Sequence, residues 1–116
     1  MKKVEYDKKP LKLEAVGNGS YLYRWDIQEI EKTNEDGSKT SLWECNEALS
    51  WKNTRKAVTE AAIDMLRESA NNEAKLINDY NAAVSGLLDK SYKKPYLDYI
   101  KNINDLKSEI KTFFGE

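Results

Sequence analysis

The chain has 116 residues, 40% hydrophobic and 34% charged, and its 19 basic and 20 acidic side chains leave a formal charge of -1. That is enough for one hydrophobic core, too little for two ordinary domains, and too apolar for a disordered chain. Basic and acidic residues number 8 and 10 up to Trp51 and 11 and 10 beyond it, so neither half has the charge excess that captures nucleic acid or an anionic membrane.

The segment from Met1 to Pro10 is charged and lacks the apolar run of a signal peptide, and no stretch is apolar and long enough to span a bilayer. Cys45 is the single cysteine, which rules out an internal disulfide and suits a reducing, cytoplasmic setting.

In chain order, residues 1–10 read as a flexible N-terminal arm and residues 11–116 as a single α+β domain. Its first part, 11–51, is expected to be a three-stranded antiparallel β-meander, and its second part, 53–116, to be helical. Leu11, Leu13 and Ala15 alternate with Lys12 and Glu14 in a short first strand. Gly17-Asn18-Gly19-Ser20 makes a turn, since Gly and Asn tolerate positive φ. Tyr21, Tyr23, Trp25 and Ile27 then occupy alternate positions of a central strand, which places an aromatic band on one face and Arg24, Asp26 and Gln28 on the other. The band is expected to be core. Asn34-Glu35-Asp36-Gly37 is a hairpin turn, and the third strand carries Trp43, Cys45, Leu49 and Trp51 on odd positions. A three-residue Glu35-Asp36-Gly37 loop with a bulge at Gly37 pairs Asn34 with Ser38. It thereby opposes Tyr21 to Trp51, Tyr23 to Leu49 and Ile27 to Cys45, with Glu47 the odd member facing Trp25.

After Trp51 the period becomes helical. Asn53 or Thr54 can cap a helix with the stripe Val58, Ala61, Ala62, Met65 and Leu66. Asn71 or Asn72 can cap a second, which shows Leu76, Ile77, Tyr80, Ala83, Val84, Leu87 and Leu88 and is weakened by Gly86. Pro95 suits the first turn of a third helix, whose seam is Tyr96, Tyr99, Ile103, Leu106, Ile110 and Phe113. The last two helices are expected to form an antiparallel helical hairpin. Part of the third helix (Tyr96, Ile100, Ile103, Ile110 and Phe114) is the candidate partner or oligomer surface.

Chemistry-bearing motifs are scarce. The five glycines are scattered and form no phosphate loop. Without histidine, no metal site is expected from His and Cys, and Cys45 lacks an activating base. Asp26, Glu29, Glu31, Glu44 and Glu47 are the only carboxylates near the aromatic band, and solvated surface is the reading preferred for them. No cofactor and no catalytic residue is therefore assigned, and the chain reads as non-enzymatic.

The pattern Tyr21-x-Tyr23-x-Trp25-x-Ile27-x-Glu29, the Asp36-Gly37 turn, Thr54-Arg55 at a helix start, and Glu73 with Leu76 to Ala82 resemble small phage and prophage proteins of Bacteroides-type bacteria. The likeness runs over most of residues 19–115. It implies a tail-region or fibre-associated accessory protein, structural or assembly-related, that contacts a phage structural protein or a host protein and can self-associate. The implied location is the host cytoplasm or the virion, and the charge balance argues against nucleic acid and membrane as partners. A small inhibitor of a host enzyme or defence complex is the alternative. The chain is also similar in size to tail-fibre assembly chaperones but lacks their Trp-containing C-terminal helical segment.

Overall fold

A computed structural model describes residues 3–69 and 73–116. The expected capping residues Asn71 and Asn72 lie outside them. The fold is α+β, with elements β1 (Val4–Tyr6), β2 (Leu13–Ala15), β3 (Tyr21–Thr33), β4 (Lys39–Ser50), α1 (Arg55–Ser69) and α2 (Glu73–Val84), then a 3-10 turn at Lys90–Lys93 and α3 (Lys94–Phe113). The chain gathers into two compact units, Met1–Ala62 and Ile63–Glu116. The boundary falls inside α1.

The first unit is built on one antiparallel sheet of four strands in the order β1-β4-β3-β2, not three. The meander β2-β3-β4 is present. The additional strand comes from the supposed arm: Val4, Glu5 and Tyr6 pair with Cys45, Glu44 and Trp43 along the outer edge of β4. Two strand-forming residues in alternation suffice for this once an edge is available, because the sheet supplies the register that so short a segment cannot specify alone.

The turn between β3 and β4 forms as expected. The Asn34 N–H donates to Ser38 O (2.7 Å), the Gly37 N–H donates to Asn34 O (3.0 Å), and Gly37 sits at φ +84. The pairings from Thr33↔Lys39 to Gln28↔Glu44 follow from it. A second bulge then intervenes. Asp26 and Ile27 together oppose Cys45, and Asp26 adopts φ +54, a left-handed conformation that Asp tolerates better than most residues. Beyond it the register is offset by one residue. Tyr21 opposes Ser50 rather than Trp51, Tyr23 opposes Ala48 rather than Leu49, and Trp25 opposes Asn46 rather than Glu47.

The aromatic band is retained in the core. Tyr23 and Trp25 are buried, with ring centroids 6.2 Å apart and near-parallel planes, while Tyr21 and Ile27 are half-buried. Ala48, opposite Tyr23, lies on the same face and is buried, as are Val58 and Ala62, whereas Cys45 is buried on the opposite face of β4, the face of Glu47. The Thr54 hydroxyl caps α1 by accepting from the Ala57 N–H at 3.2 Å.

In the second unit Ile63, Tyr99 and Ile103 form a buried cluster, with Leu66, Leu76, Tyr96 and Ile100 packed against it. Tyr99 donates its hydroxyl to Glu73, and the Tyr80 and Tyr96 rings lie 4.9 Å apart. Residues early in α2 thus meet later ones in α3, so the two helices run antiparallel. On α3, Tyr99, Ile103, Leu106 and Ile110 are buried at the expected three- and four-residue steps. Full burial of a side chain such as Ile110 contributes roughly 1.5–3 kcal/mol.

Candidate functional site

Two places concentrate unusual side-chain placement, one in each unit. The first is Arg24 on β3. The bulge at Asp26 brings it directly opposite Glu47, and its side chain is only 2% exposed. The Arg24 Nε donates to Glu47 (2.9 Å), Nη1 to the Leu11 carbonyl (2.9 Å), and Nη2 to Glu14 (2.7 Å) and the Tyr6 hydroxyl (3.1 Å). The Tyr6 hydroxyl donates in turn to Glu47, and its ring lies 4.7 Å from the guanidinium carbon. One arginine therefore ties together Tyr6 of β1, Glu14 of β2, its own strand β3 and Glu47 of β4.

Electrostatics here favour a structural post over a reactive one. Burial works against the Arg24 charge, but the bonds to Glu14, Glu47 and Tyr6 outweigh it and hold its pKa above the ordinary arginine value. All three guanidinium nitrogens already donate to protein groups, two of them to carboxylates that balance the charge. Burial and then the Glu47 acceptor push the Tyr6 hydroxyl upward, against the opposing pull of Arg24. Cys45 lies buried, and burial first, then Glu47, raises its thiol away from the reactive thiolate.

The five carboxylates singled out around the band do not converge. Asp26 and Glu44 both face Lys3, at 2.6 and 3.7 Å, and Glu29 accepts from the Ser41 hydroxyl at 2.6 Å. Glu31 lies 3.9 Å from Lys39, and Glu47 belongs to Arg24. Among the described residues no three His, Cys, Asp or Glu side chains gather into a metal-holding group, and no helix is long and apolar enough to cross a membrane.

The second place is the corner joining α2 to α3. The proposed partner residues lie elsewhere: Ile103 and Ile110 are buried, and Tyr96 and Ile100 are half-buried, packed on the Ile63 cluster. Phe114 is half-buried, with its ring edge-on to Phe113. These residues mostly serve the core of their own unit.

Exposed apolar side chains are instead grouped from Val84 to Leu97, comprising Val84, Leu87, Leu88, Tyr92 and Leu97. Helical spacing assigns Leu87 and Leu88 to the buried stripe of α2, but the helix ends at Val84. Gly86 at φ +82 closes it: the Leu87 N–H bonds to Ala82 O (2.9 Å) and the Gly86 N–H to Ala83 O (3.2 Å), a Schellman cap. In such a cap the residue after the glycine commonly packs back on the helix. Here Leu87 is 81% exposed.

The next turn is equally fixed. The Asp89 carboxylate accepts from the Ser91 N–H (2.9 Å), the Tyr92 N–H bonds to Asp89 O (3.0 Å), and Pro95 lies in the first turn of α3. The signal in the sequence was the Gly86-Leu87-Leu88-Asp89 run, in which a helix-ending glycine precedes two leucines.

Comparisons with protein-family models, with curated proteins and with solved structures return no match for this chain.

Proposed function

We propose that this chain is a non-enzymatic accessory protein of phage type, a structural or tail-assembly component that works through protein–protein contact. The observation that carries the reading is the group of exposed apolar side chains between Val84 and Leu97, held on a capped corner rather than a loose loop. Several large apolar side chains left exposed within fourteen residues suit a contact site, and a hydrogen-bonded backbone lowers the entropy lost on binding. The resemblance of residues 19–115 to phage proteins supports the particular role. The same reading places the chain in the host cytoplasm or the virion, with self-association as a further mode of contact.

The test is cross-linking of the tagged chain, expressed in cells that carry its own genomic neighbourhood, followed by particle purification. Cross-links from Lys90, Lys93 or Lys94 to a tail or other virion protein are expected. A chain that is monomeric, missing from particles and free of phage partners overturns the proposal. A stoichiometric complex with a host enzyme also overturns it and establishes the inhibitor role in its place.

A further inference from the structure

We infer that the Val84–Leu97 corner docks an acidic amphipathic segment of a partner protein, with apolar side chains on one face and carboxylates beside them. The inference rests on the protein-contact reading above and adds the chemistry of the partner.

The apolar part of the site is Leu87, Leu88, Tyr92 and Leu97, all exposed. Their backbone is held by the Gly86 cap and the Asp89–Ser91 turn, so on binding the side chains rather than the chain remain to be ordered. Leucine and tyrosine anchors on a rigid frame suit the apolar face of a peptide.

Charge decides which peptide. Lys90, Lys93 and Lys94 neighbour these residues along the chain, together with two carboxylates, Asp98 and Asp89, the latter with an oxygen directed to the Ser91 N–H. Lys94 is already paired with Asp98. Lys90 and Lys93 have no ion pair among the described residues. Two ammonium groups beside an apolar surface attract glutamates or aspartates at its rim and repel a basic segment. An anionic lipid surface shares this charge preference, but it is held by the number of basic groups, at about 1 kcal/mol each near the surface. Two free lysines are too few for that, whereas fixed anchors add shape selection that a fluid bilayer does not exploit.

The experiment titrates the isotopically labelled full chain with a synthetic helical peptide carrying leucines on one face and glutamates on the other, followed by amide NMR. A lysine-for-glutamate version of the peptide, and vesicles of phosphatidylglycerol and of phosphatidylcholine, are run in parallel. Saturable shifts confined to residues 84–97 are expected with the glutamate peptide alone, weakening as salt is raised. The K90E/K93E variant should bind it about tenfold more weakly, as expected for two exposed ion pairs, and should gain affinity for the lysine peptide.

Leu87→Ser, at a side chain that contributes little to the fold, should weaken binding without changing the spectrum elsewhere. Equal binding of both peptides, binding of neither, or shifts at this corner from phosphatidylglycerol vesicles but not from the glutamate peptide overturns the inference. A virion partner cross-linked to the chain at other lysines overturns this inference while leaving the protein-contact reading intact. Peptide binding in a chain with no phage partner leaves the docking chemistry standing and removes only the phage role.

Discussion

Removing Glu47 tests whether Arg24 is the post on which the sheet stands. Glu47→Ala removes the acceptor of the Arg24 Nε–H and of the Tyr6 hydroxyl, and leaves a guanidinium 2% exposed with its better-buried counter-charge gone. Loss of one partner of a fully buried pair costs about 3–5 kcal/mol. Glu47 is 19% exposed and Glu14 remains on Nη2, so the expected loss is smaller, about 2–3 kcal/mol.

Glu14→Ala provides the internal comparison. The Glu14 side chain is 44% exposed, water screens its pair, and the loss should stay at or below about 1 kcal/mol. Replacing the pair together, as Arg24→Met with Glu47→Leu, removes the stranded charge and should recover most of the loss.

Urea unfolding monitored by tryptophan emission suits this question, because Trp25, Trp43 and Trp51 all belong to the first unit. The Glu47→Ala midpoint should fall by about 1–2 M. If Glu47→Ala and Glu14→Ala cost the same, or if the double replacement is worse than Glu47→Ala alone, then Arg24 is not a buried charge held by its partners and the reasoning fails.

Other consequences follow from the same geometry. Tyr6 and Tyr99 are raised above the ordinary tyrosine value, by burial first and by Glu47 or Glu73 second. The fold favours their neutral forms, so the stability they contribute is whole below pH about 10 and is lost as pH rises through the raised values. An absorbance titration should show late-ionising phenols that disappear in Tyr6→Phe and Tyr99→Phe; an unchanged titration in both variants contradicts this. Cys45 should be inert to a thiol reagent in the native state and react fully once unfolded, and prompt native reaction would place it outside the core. At Asp26, a valine forces a β-branched residue into φ +54 and should cost about 1–2 kcal/mol, whereas glycine should be tolerated; equal losses argue against the bulge.

The sheet was legible wherever a local signal fixes geometry. The three-residue loop at Glu35-Asp36-Gly37 and the pairings near it follow from one glycine in a left-handed position. The register beyond Gln28 did not follow, because period-two patterning determines register only while each strand advances one residue at a time. An extra residue at Asp26 changes the parity of everything upstream, and Asp26 in sequence is merely one more polar residue in an alternating strand. The consequence reaches the side chains as well as the backbone. With the expected register Glu47 is an anomaly facing Trp25, and Arg24 is a solvated side chain; with the bulge they become partners in one buried network.

The corner between α2 and α3 failed to be read for a different reason. Helical spacing continues arithmetically from Ala83 through Leu87, but the helix itself does not, because Gly86 takes φ +82 and its cap hydrogen bonds redirect the chain. Periodicity is a property of an element, and it cannot assign a face to residues beyond the point where the element stops. The surplus of apolar residues along α3 points to Ile103 and Ile110 as contact residues, but these two are buried, whereas Leu87 and Leu88 are exposed. A helix-ending glycine followed by apolar residues therefore poses a specific question: whether the first of them packs back on the helix. Leu87 does not, and it is the most exposed side chain of the candidate contact surface.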